Sequence, residues 1–297
     1  MLSIDLSEIE VPKAHRYLLS AVGPRPICFA STMDEKDRPN LAPFSFFNVF
    51  SSNPPIAIFS PSRSGRTGNH KDTFNNVQMV KQVVINLVDY KMVEQMSLAS
   101  SPYPPETDEF LKSGFTPLKS ELIKPFRVKE APIQMECEVI EIKELGQNGG
   151  AGNLVICKIL KMHIAEELLN NEKMIDQEKI DLVARMGGDW YCRTDSNSMF
   201  EIKKPISTKG IGFDEIPSEI LNSTILSGND LGKLGGIEAL PDETDVNDFR
   251  LIELSELFLD FEDNAKALEI ALHKKAKYFL SKNQLEAAWK TLLSFNN

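Results

Sequence analysis

Between residues 14 and 200 the sequence sets short apolar segments against turn-rich ones, and none of them sustains a long helical period. Many short strands at such spacing build a β-barrel or sandwich rather than alternating βαβ units. Residues 26–32 read as a strand closed by the polar turn 33–39, and residues 48–50 and 56–60 flank the turn 51–55. Residues 83–88 form a β-branched run suited to a buried strand. Residues 135–142 alternate with period two, which predicts a half-buried strand with its carboxylates outward. Residues 154–160, after the Gly-rich loop 146–152, complete a hairpin. Few helices are expected in this part: a short one over 73–78 and another over 90–99, ended by Ser101-Pro102-Tyr103-Pro104-Pro105.

The character changes after about residue 205, where Gly and Asp become frequent. Beyond Asp260, Ala265, Leu268, Ala271, Leu272, Ala276, Phe279 and Leu280 recur at helical spacing, and Leu285, Ala288, Trp289 and Leu292 repeat the pattern after Ser281. Two amphipathic helices docked on an apolar surface are expected. The chain therefore divides into residues 1–208 and an acidic, partly helical extension, 209–297, whose expected role is to cap the barrel or extend a dimer interface.

Net charge is −10, and residues 209–297 hold 16 acidic against 9 basic side chains. Such a balance repels nucleic acid and anionic membrane, so neither is an expected partner. No apolar run approaches the ~20 residues of a membrane span. The N-terminus has early acidic residues and no long apolar stretch, so it does not read as a signal peptide, and the expected compartment is the cytoplasm. Cys28, Cys137, Cys157 and Cys192 are far apart with no C-x-x-C pairing, and three sit in strand-like contexts where a free thiol acts as a small buried hydrophobe. The four histidines show no metal-ligand spacing.

Within this acidic chain, residues 60–75 concentrate Arg63, Arg66 and Lys71 among small hydroxyl residues and glycines, directly after an apolar strand. Glycines let backbone approach an anion, hydroxyls and guanidinium groups donate to phosphate oxygens, and a helix opening near Lys71 adds free N–H groups and a favourable dipole. The spacing matches neither a P-loop nor a G-x-G-x-x-G fingerprint. The same composition suits a solvated loop with Asp72 as an N-cap, and the residues alone leave both readings open. A second stretch, Asn40-Leu41-Ala42-Pro43-Phe44-Ser45-Phe46-Phe47-Asn48, interleaves aromatics with polar residues. It suits core packing, or a surface that stacks a flat aromatic ligand and bonds its edge.

Taken in order, these segments resemble the flavin-reductase-like FMN-binding proteins, which include the flavoredoxins. The resemblance runs over residues 14–200. It is carried by Gly23-Pro24-Arg25-Pro26-Ile27, Ser31-Thr32, the stretch 40–47, Asn53-Pro54-Pro55, Arg63, Lys71-Asp72-Thr73, Val84-Ile85-Asn86, Glu136-Cys137 and Ala184-Arg185-Met186-Gly187-Gly188-Asp189-Trp190-Tyr191. It implies a mainly β fold, a Greek-key-like FMN-binding split β-barrel, usually a homodimer with FMN near the subunit interface. Ala42, Pro43, Phe44, Ser45, Phe46 and Phe47 would line the isoalloxazine, with Ser31 and Thr32 close by. Ser60, Ser62, Arg63, Lys71 and Thr73 would hold the 5′-phosphate, with Asp72 orienting the loop, since a carboxylate repels an anion. Arg185 and Tyr191 would close the pocket, within one subunit or across the dimer. The insert between Arg63 and Lys71, with Arg66 and His70, departs from the family pattern.

The implied activity is an NAD(P)H:flavin oxidoreductase, in which NADH or NADPH gives hydride to flavin N5 and positioning carries the catalysis. No general base is demanded of the side chains, and the catalytic set is therefore empty. His163 is the one histidine with a candidate nicotinamide-side role, against the commoner structural one. Two alternatives stand beside this: a flavoredoxin-type electron carrier serving a protein partner, and a flavin-binding protein without turnover.

Overall fold

The computed structural model describes residues 1–104 and 106–295; Pro105, the last residue of the helix stop read from the sequence, lies outside the described residues. The chain forms two compact units, Met1–Phe200 and Glu201–Asn297. The strands of the first, in chain order, are β1 (Arg25–Pro26), β2 (Cys28–Met33), β3 (Pro39–Phe44), β4 (Phe47–Ser52), β5 (Pro55–Phe59), β6 (Gln82–Asn86), β7 (Pro117–Leu118), β8 (Arg127–Val128), β9 (Ile133–Glu144), β10 (Asn153–Ile164), β11 (Val183–Arg185) and β12 (Tyr191–Arg193). Seven make one sheet in the order β3-β2-β6-β9-β10-β5-β4, antiparallel throughout. Strand β11 pairs with β1 and β12 in a small second sheet, and β7 pairs with β8.

The strands read from period and turn chemistry form, and alternation places their cores. Every residue of β2 is buried. Cys28 and Ala30 join Phe59, Ile85, Cys137 and Cys157 on one face, and Ile27 and Phe29 join Leu41, Met96 and Phe110 on the other. Burial raises the thiols of Cys28, Cys137 and Cys157, that of Cys137 to about 12.

Strand β9 departs from the expected alternation in two ways. Ile140 has no partner across the β9–β10 ladder, and beyond this bulge Ile140 and Glu141 are both exposed. Glu136 does not face outward: it is wholly inaccessible to solvent. The segment before β8 covers that face of the sheet. Its carboxylate accepts Glu121 N at 2.9 Å, Leu122 N at 2.7 Å and His163 Nε2 at 2.8 Å. Burial pushes the carboxyl pKa up, but these bonds together outweigh it and leave it lowered.

Among the described residues four α-helices complete the first unit: α1 (Val11–Ala21), α2 (Asp72–Met79), α3 (Val93–Leu98) and α4 (Glu109–Ser113). Helices α2 and α3 correspond to the two expected, whereas α1 and α4 were not read from the sequence. In α1 no residue is buried, and Ala14 and Leu19 are half-buried.

The second unit is helical: α5 (Ser218–Leu221), α6 (Gly228–Leu234), α7 (Glu243–Glu253), α8 (Ser255–Asp260), α9 (Ala265–Ser281) and α10 (Leu285–Leu293). The two expected amphipathic helices are α9 and α10, and the apolar surface they dock on comes from their own unit. Trp289, Leu292, Leu280 and Ala276 pack against Ile220, Leu231 and Leu234, and Trp289 Nε1 donates to Leu234 O at 3.1 Å. A Ser227–Asp230 capping box opens α6 amid the Gly/Asp-rich stretch. Among the described residues no helix is long and apolar enough to cross a membrane.

Candidate functional site

The basic loop runs from the end of β5 to α2, and its shape comes from backbone bonds. Gly68 takes a φ of +72°, open to glycine at little cost, and its N–H donates to Ser64 O at 2.8 Å. The β9–β10 hairpin loop clamps the other side: Arg63 N donates to Ala151 O at 2.9 Å, and Gly150 N to Arg63 O at 3.1 Å. At Gly149 a Cβ would stand 2.9 Å from Ser64 O, so the two loops meet this closely only because glycine is there. Ser60 Oγ accepts Asn153 N at 3.0 Å, and Asn153 Nδ2 donates to Pro61 O at 2.8 Å.

The fork of Arg63 is already engaged. Nη1 donates to Gly68 O at 3.2 Å, and Nη2 to Glu144 Oε2 at 2.8 Å and Gln147 Oε1 at 3.1 Å. His70 stacks on Phe74 with ring centroids 4.0 Å apart, and its Nε2 lies 3.6 Å from the same Glu144 oxygen. Buried polar atoms normally find partners. Five described side-chain atoms do not: Ser31 Oγ, Ser62 Oγ, Arg63 Nε, His70 Nδ1 and Asn153 Oδ1. Four of the five belong to this loop or to the asparagine that holds it.

Lys71 occupies the N-cap position of α2 with extended backbone and no capping side chain; Asp72, read as a possible cap, is the first helical residue. Lys71 forms no ion pair among the described residues, and protein crowded about its ammonium lowers its pKa by desolvation. Its Nζ lies 5.5 Å above the centroid of Phe44. Arg66 points to solvent.

A buried network ties α2 to the strands. Asn40 Nδ2 donates to Thr32 Oγ1 at 3.1 Å and Thr73 Oγ1 at 3.0 Å, and Asn76 Nδ2 donates to Thr32 Oγ1 at 3.1 Å. Thr32 and Thr73 thus fasten the helix that carries Lys71 to β2 and β3. Asn40, quoted from the sequence only as part of the stretch 40–48, and Asn76 were given no site role there.

Phe44 also lines a cavity of about 350 Å³, together with Ile27, Pro43, Ser45, Met96, Ser97, Ser100, Arg185, Asp189 and Tyr191. That volume lies at the small end of ligand pockets. Arg185 and Tyr191 face each other across β11 and β12, with the guanidinium carbon 4.5 Å from the ring centroid and Nη2 donating to Gly188 O at 2.7 Å. Arg25, missed as a site residue, organises the rim. Its buried guanidinium donates to Val22 O at 2.6 Å at the end of α1, to Met186 O at 2.9 Å and, at the 3.5 Å limit, to Ser45 Oγ. Burial first, and Arg185 second, lower its pKa.

The expected residues thus fall into groups. Pro43, Phe44, Ser45, Arg185 and Tyr191 share the cavity, and Lys71 Nζ lies over the ring of Phe44, one of its lining residues. Ser60, Ser62 and Arg63 form the loop beside the β9–β10 hairpin. Ser31, Thr32 and Thr73 are buried behind these, with Ser31 Oγ unpartnered. Ala42 packs toward the sheet core, Phe46 is exposed, and Phe47 lines a separate apolar cleft with Val49 and Met162. His163 is engaged with buried Glu136.

Comparison with known proteins places this arrangement. The structure is similar to nitrilotriacetate monooxygenase component B from Bacillus cereus, with 30% identity, a TM-score of 0.63, and coverage of 68% of this chain and 98% of the other. It is similar to 2-nitrobenzoate 2-nitroreductase from Pseudomonas fluorescens, with 27% identity, a TM-score of 0.63, and coverage of 71% and 100%. A flavin-reductase-type protein with a split barrel domain from Shewanella frigidimarina shares the fold at 24% identity and a TM-score of 0.56, over 66% of this chain and 96% of the other. The first unit is thus a split β-barrel. Residues 21–180, over half of the sequence, match the flavin reductase like domain, and the chain belongs to that family.

Proposed function

We propose that the chain binds FMN and acts as an NAD(P)H-dependent flavin reductase. The observation that carries this reading is the set of buried, unpartnered groups at Ser62, Arg63 and His70, in a loop that ends at Lys71, whose Nζ lies over Phe44, a lining residue of the cavity. A guanidinium N–H and a hydroxyl with no partner in the protein fit a phosphate monoester, and a Phe/Tyr-lined cavity fits a flat ring. Family membership and the likeness to a monooxygenase component and a nitroreductase support a flavin-linked redox role.

In this reading Ser62, Arg63 and Lys71 hold the phosphate, Ser60 and Thr73 fix the loop and helix that present them, and Pro43 to Ser45 support the ring. Arg185 and Tyr191 cover the cavity mouth and exclude water. When bound, the flavin supplies the hydride-accepting and hydride-donating chemistry. The protein contributes position, and no side chain is asked to move a proton. Residues 1–208 carry this chemistry, and 209–297 have a structural or interaction role.

Purified holoprotein given NADH or NADPH without oxygen should lose its visible oxidised-flavin absorbance. A flavin that dithionite reduces but neither nicotinamide does would instead mark an electron carrier served by a protein partner.

The reading includes a homodimer. Val49 is 54% exposed, Phe50 65% and Met162 45%, and Val49 and Met162 border the apolar cleft of about 270 Å³. Light scattering should give twice the 33.3 kDa chain mass. Val49→Asp should return the monomer, because a carboxylate there would be buried without a partner. A monomeric parent protein would refute the dimer.

A further inference from the structure

Resting on the phosphate site proposed above, we infer that Glu144 is a built-in counter-anion that competes with the ligand's phosphate and keeps FMN exchangeable. Its Oε2 sits 2.8 Å from Arg63 Nη2 and 3.6 Å from His70 Nε2, so one carboxylate oxygen already answers two of the cradle's nitrogen groups. A phosphate dianion seated against Arg63 Nε, Ser62 Oγ and His70 Nδ1 shares its guanidinium and imidazole with that carboxylate, and the two anions repel.

The alternative is that Glu144 serves only to hold Arg63 in place. The geometry points away from it. Arg63 keeps two neutral acceptors, Gly68 O and Gln147 Oε1, when Glu144 carries no charge. Backbone bonds at Arg63, Gly150 and Ala151 hold the two loops together without any carboxylate, and Phe74 holds the His70 ring. Glutamine at 144 still offers Arg63 a carbonyl acceptor. Glu144 is partly exposed at the end of β9, where its side chain has a route to solvent. Neutralising it therefore removes repulsion while leaving the cradle standing.

The test is Glu144→Gln in the full chain, with affinities for FMN and riboflavin read from quenching of flavin fluorescence. The expected result is FMN bound about tenfold more tightly, with slower FMN release and unchanged riboflavin affinity, since riboflavin has no phosphate. Unchanged or weaker FMN binding by the variant overturns the counter-anion role while leaving the phosphate site in place. A parent protein that binds FMN no more tightly than riboflavin overturns the phosphate site itself, and the inference with it.

Discussion

In Glu136→Ala the free energy of unfolding is expected to fall by about 3–5 kcal/mol, the cost of breaking a buried charged cluster by removing one partner. The carboxylate is the acceptor for Glu121 N, Leu122 N and His163, and Arg127 Nε stands 4.0 Å away. Alanine leaves two backbone donors without this acceptor and the imidazole without its mate, and it opens a cavity on the covered face of β9. Urea unfolding of parent and variant measures the difference. A loss below about 1 kcal/mol would mean that solvent reaches the site.

The same group has a pH signature. Its folded pKa lies below that of an unfolded glutamate, so the unfolded chain binds the proton more tightly. Its contribution to stability is complete above the ordinary carboxyl range, about 4.3, and drains away as pH falls through the lower, folded value. Glu136→Gln should therefore flatten the acid limb of the stability curve, and a parent curve already flat there would contradict this.

Replacing Arg63 and Lys71 together by alanine should weaken FMN binding by about 100-fold or more. Each charge-assisted contact contributes ~1.5–3 kcal/mol, and tenfold in affinity is about 1.4 kcal/mol. Lys71 is the sharper of the two, because it forms no ion pair among the described residues, whereas Arg63 is already bonded to Glu144. Riboflavin serves as the control by titration of flavin fluorescence. Equal losses for both ligands would assign the two residues to the fold and not to the phosphate.

Much of this was legible because period and turn chemistry are local. Strands β2, β4, β5, β6, β9 and β10 announce themselves in short apolar or alternating runs between turn residues, and the loop 60–75 in its basic residues among glycines and hydroxyls. What stayed hidden depends on chain far away. Glu136 reads as an outward carboxylate until residues 121 and 122 are laid over it. Glu144 and Gln147, which engage Arg63, lie 81 and 84 positions along the chain. Asn40 and Asn76 are two ordinary amides until α2 crosses the strands. Helix α1 carries an amphipathic pattern with Pro12 in its first turn, a local signal for a helix, although none of its residues is buried. In the second unit, the short helices α5 and α6 lie amid Gly, Asp and Ser that also suit loops, and it is their packing on Trp289 that makes them helical.

The sealed thiols bear on how electrons would be counted. Burial holds the Cys137 thiol up at about 12 and raises Cys28 and Cys157 likewise, so all three stay protonated at neutral pH. Three of the four sulfurs are thus inert to oxidant and disulfide alike, and the fourth, Cys192, is only partly covered. Once Cys192 is blocked, oxidant consumed when a reduced flavin held by this chain is re-oxidised would be drawn by that flavin and not by the protein's own thiols.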